Sequence, residues 1–120
     1  MQKTILLVED DPDSQEMLSL ILTDEGFSVI TAEDGQQALN LIACASPDLV
    51  ITDIEMPNLD GIELIKRLRT HPQCHHVPIV VMSAVDSGVV KDAIKAGANR
   101  ATPKPMHLAV LLNVIKQLLS

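Results

Sequence analysis

Aromatic side chains are almost absent from this sequence, which has a single phenylalanine, Phe27, and neither tryptophan nor tyrosine among its 120 residues. Hydrophobic residues nevertheless make up 47% of the chain, so a buried core has to be built from aliphatic side chains. The lack of rings also excludes the stacking platforms on which many proteins bind bases. A chain of this length is about one domain long.

Positive charge is also scarce, and nine Lys and Arg against sixteen Asp and Glu give a formal net charge of -7. No basic cluster offsets this charge, so direct binding to nucleic acid or to an anionic membrane is not expected. The sequence has neither a signal sequence at its start nor an apolar stretch of membrane-spanning length. The two cysteines, Cys44 and Cys74, have no metal or redox spacing, and together these features predict a cytoplasmic protein with reduced thiols.

Apolar runs of strand length alternate with helical patterns along the chain. Three of the runs are almost unbroken Ile, Leu and Val, which is typical of strands buried on both faces of a parallel sheet. The runs lie at residues 4–8, 28–32, 49–52 and 79–82, with a weaker one near 101–103. Helical periodicity covers residues 12–25, 34–43, 60–69 and 87–96, and it is clearest in a last stripe between Leu108 and Leu119.

This alternation predicts an α/β fold, in which five strand–helix units form a doubly wound parallel sheet between two layers of helices. The flavodoxin-like strand order 2-1-3-4-5 suits five such units, although alternation alone does not fix the order. Pro103 favours it, because a proline removes a hydrogen-bond donor and suits an edge strand, where this order puts the last one. With no linker or repeat, we expect one domain over residues 1–120 and no output domain.

Helix boundaries are marked by residues with capping chemistry. Asp11, Asp34 and Asp60 precede three of the helices, where their carboxylates can accept the free N–H groups of the first turn. Gly26 and Gly97 stand where the first and fourth helices should end.

Polar side chains follow the apolar runs at the carboxyl ends of the predicted strands, where doubly wound sheets bind ligands. Glu9 and Asp10 follow the first run, Asp53 the third, Ser83 the fourth and Lys104 the fifth. The first and third strands are neighbours in the expected order, so Asp10 and Asp53 should converge. Clustered carboxylates repel one another and favour a divalent cation, and oxygen ligands of this kind suit Mg²⁺.

A cation, an ammonium group and a hydroxyl around a carboxylate suit a transferred phosphoryl group, whose oxygens need charge compensation. Lys104 would supply the ammonium group and Ser83 the hydroxyl. Asp53 is the predicted nucleophile, which would form an aspartyl phosphate.

Four sequence signatures match a known family in the right order and spacing. They are ILLVEDDPD from Ile5, PDLVITDIEMPNLDG from Pro47, PIVVMSA from Pro78 and the pair Lys104-Pro105. From end to end the chain resembles the response regulator receiver domains, the CheY-like family of two-component signalling. The resemblance implies that a sensor histidine kinase or histidine phosphotransfer protein phosphorylates Asp53, and that this changes the binding of a downstream protein.

The resemblance also implies the roles of individual site residues. Asp10, Asp53 and the backbone carbonyl of Glu55 would ligate Mg²⁺, with Glu9 acting through a water molecule. Ser83 would bond to the phosphoryl group, and Lys104 would pair with the phosphate.

Two positions depart from the family pattern near the output surface, which is formed by the fourth helix, fifth strand and fifth helix. Ala101 stands where receivers usually carry Tyr or Phe, and Met106 replaces a common Phe. Phosphorylation can remain intact without these rings, but the readout is left open. Some receivers form homodimers through this surface, and the sequence does not decide whether this chain does.

Two other functions compete with a phosphorylated switch. A phosphatase of the haloacid dehalogenase type also uses a strand-end aspartate with Mg²⁺ and an acid two residues on, where Glu55 falls. The chain lacks the cap of those enzymes and a late acidic cluster. The second alternative is a receiver-like adaptor that is never phosphorylated, for which Ala101 is the main support.

A cluster of histidines and cysteine also raises the hypothesis of a zinc site. It comprises His71, Cys74, His75 and His76. Because this spacing in a loop flanked by prolines suits no standard tetrahedral site, we interpret the cluster as part of a polar loop.

Overall fold

A computed structural model describes residues 2–56, 58–83, 87–103 and 108–120. Strands and helices alternate along the chain as predicted. The strands are β1 (Thr4–Val8), β2 (Ser28–Ala32), β3 (Leu49–Asp53), β4 (Ile79–Ser83) and β5 (Arg100–Pro103). The helices are α1 (Pro12–Asp24), α2 (Gly35–Ala45), α3 (Gly61–Thr70), α4 (Ser87–Ala96) and α5 (Leu108–Leu119).

The five strands form one parallel sheet in the order β2-β1-β3-β4-β5, which confirms the predicted topology and places β5 at an edge. β3 and β4 each extend one residue past the apolar runs, because main-chain pairing continues after the hydrophobic side chains stop. The pairs Asp53–Met82 and Ser83–Pro103 are the last in register. Two predicted site residues, Asp53 and Ser83, therefore belong to the strands themselves.

Each face of the sheet has its own aliphatic core, since successive strand residues point to opposite faces. In β1, Leu6 and Val8 pack with helices α2, α3 and α4, whereas Ile5 and Leu7 pack with α1 and α5. Burying a Leu or Ile side chain contributes about 1.5 to 3 kcal/mol. These two cores fix the sheet on which the strand-end side chains stand. In the part of the chain described, no helix has the length and apolar character needed to span a membrane.

The predicted caps are present at the starts of three helices. Asp11 accepts the N–H of Ser14 at 3.0 Å, Asp34 that of Gln37 at 2.8 Å and Asp60 that of Glu63 at 2.9 Å. The residues after α1 and α4, Gly26 and Gly97, have φ angles of 98° and 126°, which few other residues tolerate. The cap carboxylates fix where α1, α2 and α3 begin, beside the carboxyl ends of the strands.

Arg69, at the end of α3, binds the turn that leads to β4. Its guanidinium donates to the carbonyl oxygens of Val77 at 2.6 Å and Gly97 at 2.8 Å, and to Oδ1 of Asn99 at 2.8 Å. One side chain thus ties three segments together at the end of the sheet opposite the strand-end carboxylates.

Cys74 is fully buried in that turn, and burial raises the pKa of its thiol. The Nδ1 atom of His71 accepts the N–H of Gln73 at 3.1 Å, so this ring is engaged locally. Within the described ranges, His71, Cys74, His75 and His76 do not form a group with metal-binding spacing.

Candidate functional site

Three carboxylates meet at the carboxyl ends of two neighbouring strands. Glu9 and Asp10 follow β1 directly, Asp53 is the last residue of β3, and β1 pairs with β3 in parallel. One oxygen atom of each carboxylate lies within 4.8 Å of the others. The convergence of Asp10 and Asp53 predicted from the strand order is therefore present, and Glu9 joins them.

Burial differs among the three acids. Glu9 is 1% exposed and Asp53 is 6% exposed, whereas Asp10 faces the solvent. Two buried carboxylates next to a third repel one another, and burial increases the free-energy cost of their charges. All the ligand atoms are hard oxygens, and the site opens to water on the Asp10 side. This set fits a small divalent cation such as Mg²⁺, which keeps some of its water ligands.

Main-chain donors orient the two buried acids. Oδ1 of Asp53 accepts the N–H of Ile54 at 3.0 Å, and Oε1 of Glu9 accepts the N–H of Asp11 at 3.3 Å. The amide of Gln15 on α1 donates to the backbone carbonyl of Glu9 at 3.1 Å. Sequence patterns did not reveal Gln15, which lies one turn into the helix and bonds only to backbone.

Ser83 lies on the other side of Asp53, at the end of β4. Its side chain is buried, and its hydroxyl lies 3.4 Å from a carboxylate oxygen of Glu55, which follows β3. The structure thus brings Ser83, Glu55 and the three acids to one end of the sheet. Lys104, the predicted ammonium group, lies outside the described residues, as does Met106. Ala101 is half-buried and packs against the core on the α2–α4 side.

The connection from β3 to α3 packs closely against the end of β3. The N–H of Gly61 donates to the carbonyl of Ile54 at 2.8 Å. A Cβ atom at Gly61 would overlap the carbonyl oxygen of Asp53 and lie 2.8 Å from Cα of Ile54. Only glycine allows α3 to begin this close to the strand that carries Asp53, a requirement that the Asp-Gly motif did not by itself reveal.

Gly61→Ala should therefore lower the free energy of unfolding by about 1 to 3 kcal/mol, because the end of β3 must move to accommodate a methyl group. Urea unfolding measures this loss. If the three acids bind Mg²⁺, the displaced Asp53 should also weaken that binding, which titration calorimetry measures. Gly26→Ala is the control, since a Cβ there meets no atom within 4 Å and only strains the positive φ. The packing argument would be wrong if both variants bound Mg²⁺ as the wild type does.

Comparison with known proteins places this geometry in a family. The sequence profile of the response regulator receiver domain matches residues 5–116. The response regulator MprA of Mycolicibacterium vanbaalenii is 42% identical over 120 residues, which are 99% of this chain and 51% of that protein. The chain thus spans about half the length of this relative.

Solved structures show the same architecture. The Vibrio cholerae chemotaxis protein CheY4 has a TM-score of 0.93 and 28% identity, covering 98% of this chain and 99% of that one. The receiver domain of a Pseudomonas aeruginosa sensor histidine kinase has a TM-score of 0.92 and 28% identity, covering 99% and 98%. That domain holds a magnesium ion in its active-site cleft. With its profile match, strand order and converging acids, the chain belongs to the response regulator receiver domains of two-component signalling.

Proposed function

We propose that this receiver domain is a Mg²⁺-dependent phosphoacceptor that takes a phosphoryl group from a phosphohistidine onto Asp53. The donor is a sensor histidine kinase or a histidine phosphotransfer protein in the cytoplasm. The observation that supports this most directly is the convergence of Glu9, Asp10 and Asp53 within 4.8 Å, with Ser83 at the end of the adjacent strand.

In the proposed reaction, a carboxylate oxygen of Asp53 attacks the phosphorus atom of the phosphohistidine. The new O–P bond forms as the P–N bond breaks, and the donor imidazole leaves with the bonding electrons. The Ile54 N–H at 3.0 Å holds one oxygen of Asp53 and leaves the carboxylate oriented for this attack. The domain promotes its own phosphorylation and dephosphorylation and turns over no separate substrate.

Asp10, Asp53 and the backbone carbonyl of Glu55 are the proposed Mg²⁺ ligands, with Glu9 acting through a water molecule. The bound cation would neutralise charge that develops on the phosphoryl oxygens. The buried position of Glu9 suits an indirect role, since its Oε1 is already engaged by the N–H of Asp11.

Ser83 is the proposed sensor of the phosphoryl group. In this structure its hydroxyl is near Glu55, so phosphorylation would exchange that carboxylate for a phosphoryl oxygen. Lys104 would pair with the same group, a role that rests on its place after β5 in the sequence.

The proposed output surface is formed by α4, β5 and α5, where a downstream protein or a second copy of the chain would bind. Ile94 on α4 is 45% exposed, and Leu108 and Val110 on α5 are 39% and 51% exposed. These side chains offer apolar contact area to a binding partner. Because Ala101 stands where receivers usually carry an aromatic ring, this surface would change on phosphorylation without the movement of a ring at that position.

The test is intact mass spectrometry after incubation with acetyl phosphate. We expect one added phosphoryl group in the presence of Mg²⁺ and none in the presence of a chelator. Folded protein that takes no phosphoryl group with Mg²⁺ would favour the adaptor function that Ala101 suggests. Steady release of phosphate from a phosphate ester would instead favour the phosphatase alternative.

A further inference from the structure

A hydrogen bond fastens the connection between β3 and α3 to the start of α2. Nδ2 of Asn58 donates to Oδ2 of Asp34 at 2.9 Å, between residues 24 positions apart. The other oxygen of the same carboxylate, Oδ1, accepts the N–H of Gln37 at 2.8 Å. One carboxylate therefore caps α2 and also holds the connection that begins at Asp53.

Both contacts favour the charged form of this acid. The N–H of Gln37, and after it the amide of Asn58, lower the pKa of Asp34 below its usual value. The pair is therefore a charge-assisted hydrogen bond at neutral pH, stronger than a bond between two neutral groups.

The backbone around the pair supports the same arrangement. Asn58 has a φ angle of 67°, in the left-handed region that asparagine tolerates better than most residues. A Cβ at Gly35 would lie only 2.6 Å from the carbonyl oxygen of Leu59, so the first residue of α2 closely approaches the same connection. The start of α2 therefore packs closely against Leu59, beside the bond from Asn58 to Asp34.

We propose that Asp34 and Asn58 form a positioning pair for the metal site, although neither of them ligates the metal. This inference rests on the proposed function. The connection is anchored at its start by β3 and at its end by the bond from Gly61 to Ile54, and the pair supplies the anchor between them. Glu55, whose carbonyl is a proposed ligand, lies in this connection three residues before Asn58.

Preorganisation gives the pair its effect on Mg²⁺ affinity. A ligand that is already in place costs less conformational entropy when the ion binds. Loss of one exposed hydrogen bond should therefore weaken Mg²⁺ binding about two- to fivefold. In a variant without this bond, the rate of phosphorylation should fall at limiting Mg²⁺ and return to the wild-type rate at saturating Mg²⁺. General destabilisation would lower the rate at both concentrations.

The test uses Asn58→Gly, which removes the amide and accepts the positive φ without strain. Mg²⁺ affinity is measured by titration calorimetry, and the urea midpoint is followed in parallel. Gln36→Ala is the matched control, because this neighbouring amide bonds to Asn40 rather than to the connection. We expect weaker Mg²⁺ binding for Asn58→Gly and wild-type affinity for Gln36→Ala.

A reciprocal exchange isolates the pair from its surroundings. The double variant Asp34→Asn with Asn58→Asp keeps the net charge and restores the bond with donor and acceptor reversed, and asparagine still caps α2. Its Mg²⁺ affinity should return to within about twofold of the wild type. The pair's role would be overturned if Asn58→Gly bound Mg²⁺ as tightly as the wild type, or if the double variant did not regain Mg²⁺ affinity. Neither result would contradict the proposed function. Absence of Mg²⁺ binding by the wild type would overturn the proposed function and this inference together.

Discussion

Asp53→Asn should reduce the phosphoryl adduct to an undetectable level under conditions in which the wild-type protein is fully modified. The amide keeps the shape of the side chain but removes the negative oxygen that we propose attacks phosphorus. It also removes one of the three converging carboxylate charges at the proposed Mg²⁺ site, so Mg²⁺ affinity should fall as well. Intact mass spectrometry measures the adduct, and titration calorimetry measures the affinity.

The control for this substitution is Asp60→Asn. Asp60 lies in the same connection and caps α3 through the N–H of Glu63, a function that asparagine also performs. This variant should be phosphorylated like the wild type. Without Mg²⁺, Asp53→Asn should be at least as stable as the wild type, because it relieves repulsion among buried carboxylates. An adduct that persists in Asp53→Asn would show that another residue accepts the phosphoryl group.

Arg69→Ala should lower the free energy of unfolding by about 2 to 4 kcal/mol. The guanidinium donates to the carbonyl oxygens of Val77, His75 and Gly97, and those oxygens would lose a charged donor. The variant also loses the bond to Asn99, whose Oδ1 accepts the N–H of Ile79 at the start of β4. Partial burial lowers the pKa of Arg69, but the group remains charged at neutral pH.

Arg67→Ala is the matched control for that loss. Arg67 lies on the same helix, and its guanidinium pairs with Glu63 at 3.5 Å on the exposed surface. Exposed pairs of this kind contribute about 0 to 1 kcal/mol. Urea unfolding followed by far-ultraviolet circular dichroism suits a chain without tryptophan. Similar midpoints for the two variants would contradict the role assigned to the Arg69 network.

The sequence predicted the parts of the structure that follow from periodicity and strand order. Buried runs of Ile, Leu and Val identified the strands, and the order of neighbouring parallel strands placed Asp10 beside Asp53. The prediction that β3 ends at Thr52 fell one residue short, because main-chain pairing does not depend on side-chain hydrophobicity. The end of a strand is difficult to predict from hydrophobicity when the last paired residue is polar.

Side-chain hydrogen bonds between loops and helix ends far apart in the chain were not predicted. The bonds from Arg69 to Gly97 and from Asn58 to Asp34 join residues 28 and 24 positions apart. Each bond depends on the position of a flexible side chain relative to an oxygen atom in a distant segment. A local sequence pattern does not predict that position. The requirement for glycine at position 61 likewise appears only when the distance to β3 is known.

The edge strand β5 has a consequence for how this domain can associate with other proteins. It is four residues long, begins with the exposed Arg100 and ends with Pro103, which has no N–H to donate. Short, charged edges that end in proline resist the addition of a strand from another chain. Association through this side would therefore rely on side chains rather than on extension of the sheet, which protects this edge from edge-to-edge aggregation.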